Sequence, residues 1–341
     1  MKRRLFIHIG AHRTATTSIQ TFLRDNFEAL QRAGYFNLYG AGRSVQLFNR
    51  IFSGDLDVKE LSAEIRKRAD SKKSPIHSIV LSDEDVSMRR DLSVLQKFAD
   101  DFDVKILFSM RRQDLWLESW HQQNVKWQWN AALAHLTFPQ FLERREEFHW
   151  IHYDRITTHL ADLFGPENLI LRVFERGEMP DGPVVAFCKD LGLADLTTFS
   201  EPPHVNSSLA PISSEFMRAM PLDEIPPKYR TLIETAVIAM DQQLAQRRGK
   251  SSGFLMDSAT RAAVLSAYEV GNATVARQYF GRDQLFREPL PAPDAIVADQ
   301  ILPADSYELM RDFVAPMLRK LAHQYELADA GLSDPEARAQ R

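Results

Sequence analysis

The residues best suited to chemistry cluster in three places. The first is Ile9-Gly10-Ala11-His12-Arg13-Thr14-Ala15-Thr16-Thr17-Ser18, where a short apolar run ends at a glycine, passes through small, hydroxyl-bearing and basic residues, and enters a helical pattern. A strand, loop and helix in that order turn backbone N–H groups and a helix N-terminus toward one spot, which suits a phosphate or sulfate. The second is Ser82-Asp83-Glu84-Asp85, a run of acids that follows another apolar stretch and offers a general base. The third is Arg111 with Ser119, eight residues later on a helical pattern. A guanidinium pairs bidentately with a phosphate, and a hydroxyl from the following helix adds a donor. Taken alone, an arginine ending a strand and a serine facing water would look the same.

Set against the nucleotide-binding P-loop, G-x-x-x-x-G-K-[ST], the first segment fits in part. Gly10 takes the first glycine and Thr17 the final hydroxyl, but Ala15 replaces the second glycine and Thr16 stands where the lysine belongs. That lysine holds the β- and γ-phosphates in ATPases, so its absence argues against a standard kinase or ATPase. Arg13 lies inside the loop instead.

These residues resemble the 5′-phosphosulfate loop of sulfotransferases that use PAPS (3′-phosphoadenosine 5′-phosphosulfate), which commonly carries a Lys-Thr-Gly-Thr-Thr core. Here the family's lysine is Arg13 and its glycine is Ala15. The family's 3′-phosphate site has an arginine at a strand end and a serine eight residues on, and Arg111 and Ser119 match that spacing. Weaker likenesses to bacterial members extend over Asp154–Arg176, Asn206-Ser207-Ser208-Leu209 and Asn272–Phe286, so the resemblance covers most of the chain. It implies donor binding by His12, Arg13, Thr14, Ala15, Thr16, Thr17, Ser18, Arg111 and Ser119, with PAPS as co-substrate. Arg13 would stabilise the transferring group. Family members place a glutamate or histidine after the second strand, so Glu84 is expected as the base, with Asp83 second; capping the next helix is the alternative for both. Gln246-Arg247-Arg248-Gly249-Lys250 resembles the late basic loop that some members close over the 3′-phosphate, although short basic runs are common on surfaces.

The elements that must position these groups read as α/β. Leu5–Gly10, Ile76–Ser82, Val104–Met110 and Asn168–Phe174 are strand-like, and Thr16–Arg32, Leu92–Asp101, Asp114–Trp127, Asp154–Phe164 and Pro183–Leu191 are helical. Such alternation predicts a mainly parallel central sheet with flanking helices, P-loop NTPase-like by the resemblance. Beyond Glu201-Pro202-Pro203 the strand signals fade, and Pro226–Arg248, Asp257–Phe280 and Ala304–Ala328 show helical periodicity. The expected organisation is an α/β core over residues 1–200 with the PAPS site, a mostly helical portion over 201–330 packed on it and lining the acceptor site, and a polar tail over 331–341.

The 341 residues, 44% hydrophobic and 26% charged, are ordinary for a soluble globular protein, and a net charge of −4 argues against a general nucleic-acid binder. The single cysteine, Cys188, excludes an intramolecular disulfide and reads as a buried structural thiol. The basic Lys2-Arg3-Arg4 precedes too short an apolar run for a signal peptide, and no run reaches membrane-spanning length, so a cytoplasmic location is expected. His8 and His12 lie four apart, but the loop between them breaks helical geometry and no third zinc ligand appears; no metal is expected. Trp116, Trp120, Trp127 and Trp129 are read as core packing, with an acceptor pocket as the alternative. The expected function is transfer of a sulfuryl group from PAPS to a hydroxyl or amine of a carbohydrate, lipid or small-molecule acceptor. An atypical P-loop kinase or nucleotide hydrolase, and a non-catalytic nucleotide-binding relative, are the alternatives.

Overall fold

Apolar strands able to bury both faces pair side by side at the centre of the fold. In a computed structural model, which describes residues 2–193, 195–200, 209–249 and 253–329, strands β1 (Arg4–His8), β2 (Tyr35–Asn37), β3 (Ser78–Ser82), β4 (Asp103–Met110) and β5 (Leu169–Val173) form one sheet in the order β2-β3-β1-β4-β5. All four pairings are parallel. Within β1, Leu5 through His8 are all buried, and β3 is buried throughout. Such unbroken burial, rather than alternation, marks a parallel sheet covered on both sides. The predicted α/β class is the one observed.

On one face Phe6, Val80 and Leu107 pack with Ile19, Phe22 and Leu23 of the first helix, α1 (Thr16–Asp25), and with Phe187, Cys188 and Leu191 of the Pro183–Leu191 helix. Against β4 and β5 lies the Tyr153–Phe164 helix, with the Tyr153 ring edge-on to Phe108 at 6.1 Å. Burying each such aromatic or branched side chain contributes about 1.5–3 kcal/mol.

Three local features depart from the sequence expectation. The helix expected over Thr16–Arg32 is two helices, Thr16–Asp25 and Phe27–Arg32, interrupted at Asn26. There the Asn26 amide donates to the carbonyls of Phe22 (3.1 Å) and Ser200 (2.9 Å) and accepts from the Ser200 N–H (2.7 Å). An asparagine side chain that satisfies backbone groups competes with the helix itself. The segment expected as a helix over Leu92–Asp101 is a 3₁₀ helix, Ser93–Asp100. The predicted Ala304–Ala328 helix is α over Ser306–Leu309, π over Met310–Val314 and α over Ala315–Asp329. Pro316 has no N–H to return to the preceding turn, which accounts for the widened turn before it.

The chain divides into two compact units, each drawn from three stretches of sequence. The sheet unit comprises Met1–Gln113, Glu146–His204 and Leu265–Leu290; the other comprises Asp114–Arg145, Val205–Val264 and Pro291–Arg341. In the second unit Val125, Phe216, Met217, Val237, Met240, Leu244 and Phe313 form a core of their own. Its buried Arg261 bridges Asp114 and Glu118, and Glu118 also accepts from the N–H groups of Leu255 (2.9 Å) and Met256 (3.0 Å). Residues 206–208 and 330–341, which include most of the Asn206–Leu209 block and the polar tail, lie outside the described residues.

Candidate functional site

The C-terminal ends of parallel strands bring loops from distant parts of the sequence to one edge, where open α/β sheets place their ligands. The ladder continues one residue past the strands: the Ile9 N–H donates to Leu107 O (3.0 Å) and the Asp83 N–H to His8 O (3.0 Å). The Gly10 loop therefore leaves the sheet between the acids that follow β3 and the arginines that follow β4.

The loop is held in an uncommon conformation. Gly10, Arg13 and Ala15 all have positive φ, at 54°, 69° and 61°. A Cβ on Gly10 would fall 2.7 Å from Thr16 Cγ2 and 3.3 Å from Glu84 Cβ, so glycine is required there for space as well as for φ. Thr14 is buried and folded onto the loop, its hydroxyl donating to Ala11 O at 2.7 Å. Ala15 is the N-cap of α1 and offers no side-chain oxygen to the first helical turn. The amides of Thr16, Thr17 and Ser18 are thus left without a capping side chain, as an anion site needs. Left-handed residues in such loops turn successive N–H groups into one concavity.

Arg111 follows β4 directly and returns to this loop: its Nη1 donates to the carbonyl of Arg13 at 2.9 Å, and its guanidinium lies 5.9 Å from the Phe174 ring centre. Burial, reinforced by the positive charge of Arg111, pushes the Arg13 guanidinium down to about 10. Arg13 remains a cation at neutral pH, desolvated and beside a second cation, an arrangement that a bound anion relieves. Tyr153 fixes the start of this turn, accepting from the Arg111 N–H at 3.0 Å.

On the other side stand the acids. Glu84 is buried and accepts a hydrogen bond from Gln20 of α1. Asp83 is buried, caps the short 3₁₀ turn Glu84–Met88, and is pushed up to about 6 by burial, which outweighs the opposing Arg43. Asp85 is drawn below its ordinary range by His12 and Arg43, against the opposing effect of its burial, and His12 Nε2 lies 2.9 Å from its Oδ1. Ser82 ends β3 and bonds His8 Nδ1 at 2.8 Å; burial holds His8 down at about 4, hence neutral. Next to Thr14 a narrow crevice is lined by His8, Ser109, Phe174 and the Arg172–Asp190 ion pair among others.

Of the residues singled out in the sequence, His12, Arg13, Thr14, Ala15, Thr16, Thr17, Ser18, Glu84 and Arg111 all belong to the sheet unit and its strand-end edge. Ser119 is buried on the Gln113–Trp127 helix, in the portion that belongs to the second unit. In the second unit Arg247 and Arg248 pair with Asp312, and Arg248 also with Glu308, while Lys250 lies outside the described residues. Trp116 and Trp120 are buried and stacked, as core packing requires, but Trp129 is 63% exposed and stacks on Trp127 instead. Gln20, Arg43 and Arg172 were not legible as site residues. Gln20 lies one helical turn beyond Thr16, a spacing that could have flagged it; Arg43 and Arg172 carry no such signal.

Among known proteins, no family model matches the chain. It is 25% identical over 193 residues to an uncharacterized protein of Archaeoglobus fulgidus, a match covering 56% of this chain and 50% of that protein. The chain therefore spans about half the length of this curated relative. Its structure is similar to that of a sulfotransferase from Alicyclobacillus acidocaldarius, over 74% of this chain and 98% of the other, with a TM-score of 0.40 and 17% identity. No helix among the described residues is long and apolar enough to cross a membrane.

Proposed function

We propose that this chain is a sulfotransferase, moving a sulfuryl group from PAPS to a hydroxyl or amine of a carbohydrate, lipid or small-molecule acceptor. The observation that carries the reading is the Arg111 guanidinium on the carbonyl of Arg13, itself a buried cation within the field of Arg111, at an uncapped helix N-terminus with Glu84 packed against Gly10 of the same loop. The uncapped amides and Arg13 fit the phosphosulfate end of the donor. Arg111 takes the 3′-phosphate end, as the resemblance to the family implies.

Each residue then has a defined task. Glu84 takes the proton of the acceptor hydroxyl or amine as its oxygen or nitrogen attacks sulfur. The bond between sulfur and the bridging oxygen breaks, and that oxygen stays on the departing adenosine 3′,5′-bisphosphate. Arg13 and the amides of Thr16, Thr17 and Ser18 hold the charge that collects there. An arginine stays protonated throughout, so Arg13 acts by field and hydrogen bonds and donates no proton to the leaving oxygen.

The test has two arms. In calorimetry, adenosine 3′,5′-bisphosphate binds without Mg²⁺, and Arg111→Ala weakens it about 10- to 100-fold, the worth of a charged hydrogen-bonded contact. With labelled PAPS and a mixed acceptor pool the protein transfers sulfate, and Glu84→Gln slows transfer about 100-fold or more. Tight Mg²⁺-dependent ATP binding indifferent to a 3′-phosphate would overturn the reading in favour of a kinase or nucleotide hydrolase. Bisphosphate binding with no transfer to any acceptor would leave a non-catalytic binder.

A further inference from the structure

Arg43 stands 40 residues before the acids and outside every motif, yet its three guanidinium nitrogens reach three different carboxylates. Nε lies 2.8 Å from Asp83 Oδ1, Nη1 3.5 Å from Glu84 Oε1, and Nη2 2.7 Å from Asp85 Oδ2. The segment that carries it is fastened at several points. The carbonyl of Ala41 accepts from Asn37 Nδ2 at 2.6 Å, and the Ser44 N–H donates to Ser82 O at 2.8 Å, one residue from Asp83. Between them, Gly42 presses so closely on α1 that a Cβ would fall 1.9 Å from the Gln20 carbonyl oxygen. Gln20 is also the residue that donates to Glu84. Arg43 and Gln20 thus grip opposite oxygens of the same carboxylate, from two elements that touch each other at Gly42.

We propose that Arg43 is a positioning residue: its guanidinium, forked across Asp83, Glu84 and Asp85, fixes the Glu84 carboxylate beside the anion loop and offsets the mutual repulsion of three consecutive acids. This rests on the reading of Glu84 as the base. Three adjacent carboxylates, two of them buried, would otherwise repel one another and take up protons at neutral pH. The charged and titratable groups that face the cluster are Arg43 from the loop before the Val45–Ser53 helix, His12 from the anion loop and Arg89 beyond the 3₁₀ turn, the last acting on Asp85 through its charge. Arg43 is the one whose contacts span all three acids.

The test uses Arg43→Met, which keeps an unbranched stem and removes the charge, and Arg43→Lys, which keeps the charge without the fork. Two readouts are taken on the full chain. Carbon-detected NMR of Asp83 gives its titration midpoint, which moves up by about one unit or more in Arg43→Met once the opposing cation is gone. The acid limb of the rate–pH profile moves to higher pH in the same variant, with kcat reduced and the KM for PAPS little changed; Arg43→Lys restores both partway. Unchanged bisphosphate affinity establishes that the variants are folded. An unmoved Asp83 midpoint overturns the clamp. A moved midpoint with an unmoved rate profile reduces Arg43 to a structural role and overturns the proposal. If the parent transfers no sulfate, the function proposed above falls and takes the positioning role with it, while the Asp83 titration still reports separately whether the clamp exists.

Discussion

At the scale of single residues the site is a contest between burial and charge. Asp83 is 1% exposed, and one of its oxygens, Oδ2, has no hydrogen-bond partner among the described residues. Its carboxyl is raised to about 6, so folding favours the protonated form. Stability is therefore lost as pH rises from the ordinary carboxylate range to about 6 and changes no further above it. Asp83→Asn should melt higher than the parent at pH 7, and the advantage should shrink between pH 6 and pH 4. Melting curves across that range check this; a difference that stays constant with pH would show that the ionised Asp83 is not disfavoured in the fold. A perturbed carboxyl beside the proposed base Glu84 is the kind of group that clusters at functional sites.

At the scale of elements, the anion loop depends on backbone shape more than on side-chain identity. Ala15 holds φ 61°, a conformation that costs a non-glycine residue about 1–2 kcal/mol. Ala15→Gly removes that strain but frees the unfolded chain, so its melting temperature should equal or slightly exceed the parent's, with bisphosphate affinity retained. Ala15→Val adds a β-branched side chain where the left-handed region excludes it, and should lower both stability and affinity. Thermal melts with calorimetry on the pair decide the matter: equal behaviour of Gly and Val would mean that the loop relaxes out of the left-handed conformation.

At the scale of the whole molecule, Cys188 reports on the sheet unit. It is fully buried among Phe6, Ile19 and Phe187, and burial pushes its thiol up to about 12. As the only cysteine in the chain, it should resist a thiol reagent in the native protein and react completely in denaturant. Its native labelling rate should follow the opening of the sheet unit. A ligand present at about 100 times its Kd stabilises the folded state by about 2.7 kcal/mol, so bisphosphate at that excess should slow labelling about 100-fold if labelling requires global opening. Rapid native labelling, unaffected by denaturant, would place the thiol outside the core.

The sequence by itself determined the sheet and the loop. Leu5–Ile7, Ile79–Leu81 and Ile106–Phe108 are apolar runs long enough to announce buried parallel strands, and a glycine followed by small and hydroxyl-bearing residues announces a turn into the start of a helix. Tyr35–Asn37 escaped because a three-residue edge strand has no periodicity to read, and the break at Asn26 escaped because its partner, Ser200, lies 174 residues away. Arg43 was invisible for the same reason: nothing in Gly42-Arg43-Ser44 speaks of acids at 83–85 until a parallel crossover lays that segment over the end of β3. Local patterns of hydrophobicity and turn chemistry fix elements, since they depend on neighbours in the chain. Which charges face one another across a strand end depends on contacts far apart in sequence, and only the tertiary structure decides those.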